Sequence, residues 1–150
     1  MITYRDGDLF ASGLPALAHG VNCEGVMGAG IAMQFRHRWP AMYEAYRQRC
    51  IIGEIAPGDV MPYQVNHRLM VFNLATQQEP GACAQPWMIA AAVGRMIWAA
   101  AYYYRVHRIT EIGLPMIGCG IGGLAEDDLR AALAPYENAP VNLTIFRWAP

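Results

Sequence analysis

Two glycine-rich runs carry the clearest chemical signal in the sequence: Met27-Gly28-Ala29-Gly30-Ile31 and Ile117-Gly118-Cys119-Gly120-Ile121-Gly122-Gly123. Glycine lets the backbone turn with positive φ and lets amides approach a ligand without a Cβ in the way. Each run follows an apolar stretch that reads as a buried strand, and each precedes a helix. Successive N–H groups with a helix N-terminus behind them form a receptor for phosphate oxygens that needs no cationic side chain. One such run reads first as a tight strand-to-helix turn, whereas two in one small domain point to a diphosphate. Neither fits G-x-x-x-x-G-K-S/T, which argues against Walker-type ATP hydrolysis. The second run looks superficially like a dinucleotide loop, but no acidic residue waits at the end of a following strand, so a Rossmann reading fails.

The elements that must hold these runs are legible in the apolar pattern. Ile2–Arg5 and Ala16–Val21 read as strands joined by a tight polar turn at Asp6-Gly7-Asp8-Leu9-Phe10. Ile31–Arg38 reads as a helix that Pro40 stops, and Ala41–Arg49 as another with Met42, Tyr43 and Tyr46 on one face. Gly58–Tyr63 and Leu69–Leu74 flank a polar turn at Gln64–Arg68 and predict an antiparallel pair. A long helix is expected from Gln85 or Trp87 to Tyr104, then a strand at Thr110–Leu114. Glu126–Leu133 reads as a helix whose acidic first turn suits its dipole, and Val141–Arg147 as the last strand. Six strands with interleaved helices and one hairpin imply a mixed sheet covered on both faces. In open α/β sheets ligands sit beyond the carboxyl ends of the strands, where both runs would lie.

Length and composition set the bounds. The 150 residues suit one domain, and 55% are hydrophobic while only 15% are charged, against about 25% charged in average domains. A chain of that size buries roughly 70% of its unfolded surface and needs no disulfide or metal staple. Net charge is −1 and no run of basic residues forms a stripe, so nonspecific nucleic-acid binding finds no support. Cys23, Cys50, Cys83 and Cys119 are scattered without zinc-ligand spacing, which reads as reduced thiols in a cytoplasmic protein and implies no metal. The N-terminus carries charges where a signal peptide needs apolar residues. Trp87–Tyr104 is long enough to span a membrane, but Arg95 near its middle would cost roughly 2.5–3.5 kcal/mol on insertion. It reads as a strongly buried globular helix, with a role at an oligomer interface left open.

Four stretches together resemble a known family: Asp6-Gly7-Asp8-Leu9, His19-Gly20-Val21-Asn22-Cys23, Gly25 to Ala32 with Phe35 and Pro40, and Leu114 to Leu124. In this order, over nearly the whole chain, they look like a macrodomain. The similarity is greatest to the branch that holds ADP-ribosyl glycohydrolases and ADP-ribose-1″-phosphate phosphatases. The resemblance implies a single domain over 1–150, a three-layer α/β/α sandwich with a mixed sheet of about six strands, and ADP-ribose in a cleft across the strand ends. No cofactor is implied. The partner would be ADP-ribose itself or an ADP-ribosylated protein or nucleic acid.

Carried over by position, Asp8 with Leu9 would meet the adenine, although Asp8 reads equally as a turn cap. Val21, Met27, Gly28, Ala29, Gly30 and Ile31 would line the distal ribose and a phosphate. Ile117, Gly118, Cys119, Gly120, Ile121, Gly122 and Gly123 would wrap the diphosphate, and Trp148 would cover the adenine face or stand as an exposed terminal aromatic. Asn22 would touch the distal ribose or brace its own loop.

Glycohydrolases of this branch use a Lys after the fourth strand and an acid in the second glycine-rich run. Gln77 stands in place of the Lys and Gly122 in place of the acid, so a lysyl Schiff base is not expected. His19, matching a His of the phosphatase members, could activate water, or it could be a hydrogen-bonded core residue. Gln77 could orient a water with help from a ligand phosphate. Three functions follow from these residues: an ADP-ribosyl hydrolase without a catalytic Lys, a noncatalytic ADP-ribose reader, and a phosphatase that depends on His19.

Overall fold

The computed structural model describes residues 1–147. Its six strands are β1 (Ile2–Asp6), β2 (Ala16–Val21), β3 (Val60–Asn66), β4 (Leu69–Ala75), β5 (Glu111–Pro115) and β6 (Asn142–Arg147). They form one sheet in the order β1-β6-β5-β2-β4-β3. All neighbours are parallel except β3, which pairs antiparallel with β4. The expected hairpin is therefore present, though β3 runs on to Asn66 and leaves a shorter turn than the pattern implied. Pro62 sits in β3 without penalty because β3 is an edge strand.

Side-chain alternation along the buried strands builds two cores. Ala16 and Ala18 of β2, Phe72 and Leu74 of β4, and Ile112 and Leu114 of β5 pack toward α3 (Pro86–Trp98) and α4 (Glu126–Leu133). Leu17 and Val21 of β2 and Val71 of β4 turn the other way, onto Phe35 of α1 (Gly30–Arg38) and Met42 and Tyr46 of α2 (Pro40–Ile51). The result is the three-layer α/β/α sandwich that the resemblance implied. Pro40 does more than end α1: it opens α2 at a position where its missing N–H is no loss.

The long helix divides in two. Regular α3 ends at Trp98, and Ala99–Tyr103 continues as a π-helical turn. Its inner face is buried at Ile89, Val93 and Met96, but Trp87, Trp98, Tyr102 and Tyr103 are exposed. The strongly buried helix read from composition is buried along one face only, because its many small alanines hid which face the large rings take. Among the described residues no helix is long and apolar enough to cross a membrane.

Candidate active site

The carboxyl ends of β2, β4, β5 and β6 open onto a cavity of about 860 Å³. One wall is the segment after β2, from Val26 into the first turn of α1 at Met33 and Gln34. The opposite wall is Pro115–Gly122, and the floor includes Gly20, Val21 and Thr76. Both glycine-rich runs thus face one space, between β2 and β5 at the middle of the sheet.

The amides of these walls are arranged by what the loops do with their other hydrogen bonds. In the second run, Cys119 N–H donates to Met116 O (3.1 Å), Gly123 N–H to Gly120 O (3.2 Å) and Leu124 N–H to Gly118 O (2.8 Å). Gly120, Ile121 and Gly122 N–H meet no acceptor among the described residues. Gly118 makes this turn at φ +77°, a conformation that side chains rarely adopt. In the first run, Met33 N–H returns to Ala29 O (3.3 Å) to start α1, and the N–H groups from Gly28 to Ala32 stay unpaired among the described residues. Two sets of free amides, one of them at the positive end of a nine-residue helix, flank the cavity. That arrangement is complementary to phosphate oxygens.

Asn22 lies in the wall, 7% exposed. Its Oδ1 accepts from Glu24 N–H (3.0 Å), Val26 N–H (3.3 Å) and Tyr46 O–H (2.9 Å), while its Nδ2 donates to Val26 O (2.8 Å). Those bonds occupy the side chain in bracing the loop, the second of the two roles open to it from sequence. The next residue ties this loop to the one after β4: Cys23 N–H donates to Gln78 O (3.0 Å) and its thiol to Gln77 O (3.6 Å). Burial pushes the Cys23 thiol up to about 11, so it stays protonated and donates.

Gln77 also lines the cavity. Its Nε2 donates to Glu79 O (2.7 Å) and Gly81 O (3.0 Å). Two carbonyls on one atom identify that atom as the NH₂, so the remaining polar atom, Oε1, is an acceptor of fixed orientation. The sequence contains no lysine, since all 11 Lys-plus-Arg positions are arginine. No lysyl nucleophile is therefore present in it. At Gly122, a Cβ would fall 2.8 Å from Gly118 O and 2.8 Å from Ala84 Cβ. The loop is packed for a residue with no side chain, so the missing acid has no space in this arrangement.

His19 requires a correction. It is completely buried, outside the cavity wall, and stacked on Phe35 with ring centroids 3.8 Å apart and planes within 1°. Its Nε2 is 2.7 Å from Asn73 Oδ1. The Asn73 amide donates to Met61 O (3.2 Å), so its oxygen faces the ring and the proton belongs on Nε2. Nδ1 has no partner. Desolvation drives the pKa down to about 4 against the opposing pull of the Asn73 bond. Depth along the strand decides this: the wall is reached only by the last two residues of β2, Gly20 and Val21, whereas His19, a step further back on the face of Leu17, is covered by Phe35. The catalytic reading of His19 is replaced by a core role.

Asp8 and Leu9 also lie outside the wall. Asp8 accepts from Phe10 N–H (2.9 Å) and caps the short 3₁₀ turn Leu9–Ala11, and Leu9 is buried in the core. Gly123, its N–H consumed within the turn, is not part of the wall either. Trp148 falls outside the described residues. The wall includes residues that sequence reasoning passed over: Met33 and Gln34, Pro80 and Gly81, and at the far end Glu126, Phe146 and Arg147. Glu126 had a visible signal, an acid at the start of a helix just past a phosphate-type loop, but read only as a complement to the dipole.

Similarity to known proteins agrees with this architecture. The chain is 35% identical over 136 residues to the DNA ADP-ribosyl glycohydrolase of Mycobacterium tuberculosis, covering 89% of this chain but 38% of that protein. It is 26% identical over 147 residues to the human ADP-ribose glycohydrolase OARD1, covering 97% of this chain and 90% of that one. The solved macrodomain of Mycobacterium tuberculosis DarG superposes with a TM-score of 0.80 at 32% identity, over 97% of both chains. The chain thus spans well under half the length of the mycobacterial relative. The family model described as Macro domain matches residues 18–133, and the chain belongs to that family.

Proposed function

We propose that this protein binds ADP-ribose across the strand ends and hydrolyses its bond to a modified macromolecule without a lysine nucleophile. The observation that carries the reading is the pair of unpaired amide rows flanking one cavity of about 860 Å³, which suits a nucleotide diphosphate with a sugar on either side. The relatives' names, DNA ADP-ribosyl glycohydrolase and ADP-ribose glycohydrolase, support the same ligand and the hydrolytic outcome. Bound this way, the distal ribose meets Gln77 at the β4 end. Gln77 Oε1 accepts a hydrogen bond from a water and aims it at the anomeric carbon. The water's O–C bond forms as the glycosidic bond breaks, the leaving group departs with the bonding pair, and a ligand phosphate oxygen takes the water's proton. Catalysis of this kind rests on positioning and on amide stabilisation of the diphosphate. The four unpaired thiols suit a reducing, cytoplasmic setting.

One arrangement favours a second reading. With His19 buried and no side-chain space at Gly122, a noncatalytic ADP-ribose reader is the alternative, while the phosphatase reading loses the residue it depended on. Calorimetric titration with ADP-ribose, followed by incubation with ADP-ribosylated DNA and ADP-ribosylated protein, separates the two. Release of ADP-ribose above background supports the hydrolase. Binding without release establishes the reader, and no binding overturns both.

A further inference from the structure

Four residues beyond Gly122, at the first position of α4, Glu126 contributes to the cavity wall beside Phe146 and Arg147. One carboxylate oxygen, Oε1, takes every donor supplied to it: Arg130 Nε (3.2 Å), Arg130 Nη2 (2.8 Å) and Arg147 Nη2 (2.9 Å). Oε2 receives none among the described residues. The arginines are themselves held, with the Arg130 guanidinium 3.8 Å and that of Arg147 5.6 Å from the centroid of the Tyr4 ring. Hydrogen bonds from Arg147 and Arg130 keep the Glu126 carboxyl below the usual range, so it is ionised at neutral pH.

The sheet order fixes where this carboxylate stands. Along β6-β5-β2-β4, the amide rows rise over β5 and β2, Gln77 over β4, and Glu126 over the β6 end. A diphosphate on the amides places one sugar at each end. With the distal ribose at Gln77, as proposed above, the group nearest the phosphate on the β6 side would be the ribose of the nucleoside, ahead of its base. A free carboxylate oxygen there is matched to hydroxyl donors and mismatched to an anion.

We propose that Glu126 accepts the vicinal hydroxyls of the nucleoside ribose and selects against a nucleotide that carries a phosphate on that ribose. This rests on the ADP-ribose reading above. In dinucleotide-binding folds a carboxylate on the 2′-hydroxyl goes with a free ribose and a nearby arginine with a 2′-phosphorylated one; here both nearby arginines are engaged by the carboxylate itself. A phosphate would have to draw Arg147 away from Glu126 and would then lie against a carboxylate left with Arg130 alone.

The test is calorimetry with ADP-ribose and with ADP-ribose 2′-phosphate, on the wild type and on Glu126→Gln. The wild type is expected to prefer ADP-ribose by roughly 30-fold or more. In the variant the arginines still require an oxygen, so the substituted amide turns its NH₂ to the cavity and an acceptor becomes a donor. ADP-ribose should then weaken by about tenfold, the scale of one charge-assisted hydrogen bond. The preference should collapse to within about threefold. A wild type that binds both nucleotides alike overturns the proposal whether or not the variant folds. So does a variant that weakens both nucleotides equally, because a merely structural ion pair would do that. A wild type that binds neither nucleotide instead removes the ADP-ribose reading itself.

Discussion

The hydroxyl of Tyr46, deep in the α2 side of the core, is within hydrogen-bond distance of both oxygens of Asn22, the backbone one at 2.8 Å and the side-chain one at 2.9 Å. One buried phenol thus holds the residue from which the first of the two amide-lined walls departs. Desolvation pushes its pKa upward, so it remains a donor at any working pH.

Removing that hydroxyl tests whether the wall is preorganised. Tyr46→Phe keeps the ring packing and deletes the donor, at a cost of about 1–2 kcal/mol in stability. ADP-ribose affinity is expected to fall by roughly fivefold, through a looser Asn22–Val26 loop. Thermal melts and calorimetry on the same sample read both effects. Undiminished affinity would mean the loop needs no brace from α2.

Gln77 is expected to act through a fixed neutral acceptor. Gln77→Ala should lower turnover on the order of 100-fold while changing ADP-ribose affinity less than about threefold. Gln77→Glu is nearly isosteric, but its carboxylate would face the carbonyls of Glu79 and Gly81 that now accept from the amide. It should lose about as much activity as the alanine variant. A faster Gln77→Glu enzyme would show that the site lacks a base and not an orienting acceptor.

Restoring an acid to the second loop should fail. Gly122→Asp introduces a Cβ within 2.8 Å of Gly118 O, so the turn that presents the Gly120–Gly122 amides must shift. A stability loss of about 1–3 kcal/mol and at least roughly tenfold weaker ADP-ribose binding are expected. Binding at wild-type strength would show that the loop re-forms around a side chain.

His19 makes the fold sensitive to mild acid. Its folded-state pKa lies near 4, below the ordinary 6.5. Between those values the unfolded chain takes up a proton that the native state refuses. Stability is therefore fully present above about pH 6.5 and falls as pH drops toward 4, by as much as about 1.4 kcal/mol per pH unit. Below 4 both states are protonated and this contribution levels off. Melting temperatures between pH 7.5 and 4.5 should show the slope, and His19→Phe should be less stable at pH 7.5 but flatter across the window. Parallel curves for the two proteins would place the acid sensitivity elsewhere.

Local sequence determined a great deal here. Alternating and continuous apolar runs specified six strands close to their observed limits, because a strand buried on both faces must be apolar along its length. The two glycine-rich runs announced free amides at strand ends, since glycine readily takes the positive φ that Gly30, Gly118 and Gly123 adopt in those turns. What local sequence could not decide was which way single side chains point and which distant groups meet them. His19 and Gly20 are neighbours, yet His19 lies in the core under Phe35 while Gly20 reaches the cavity floor. Whether Asn22 braces its loop or faces a ligand stayed open until Tyr46, 24 residues away, met its oxygens. Glu126 became part of the cavity only when parallel pairing brought β6, and with it Arg147, beside β5. Period and composition are properties of a short segment and survive in the sequence. Orientation and partnership are set by packing between segments, and only the folded chain contains them.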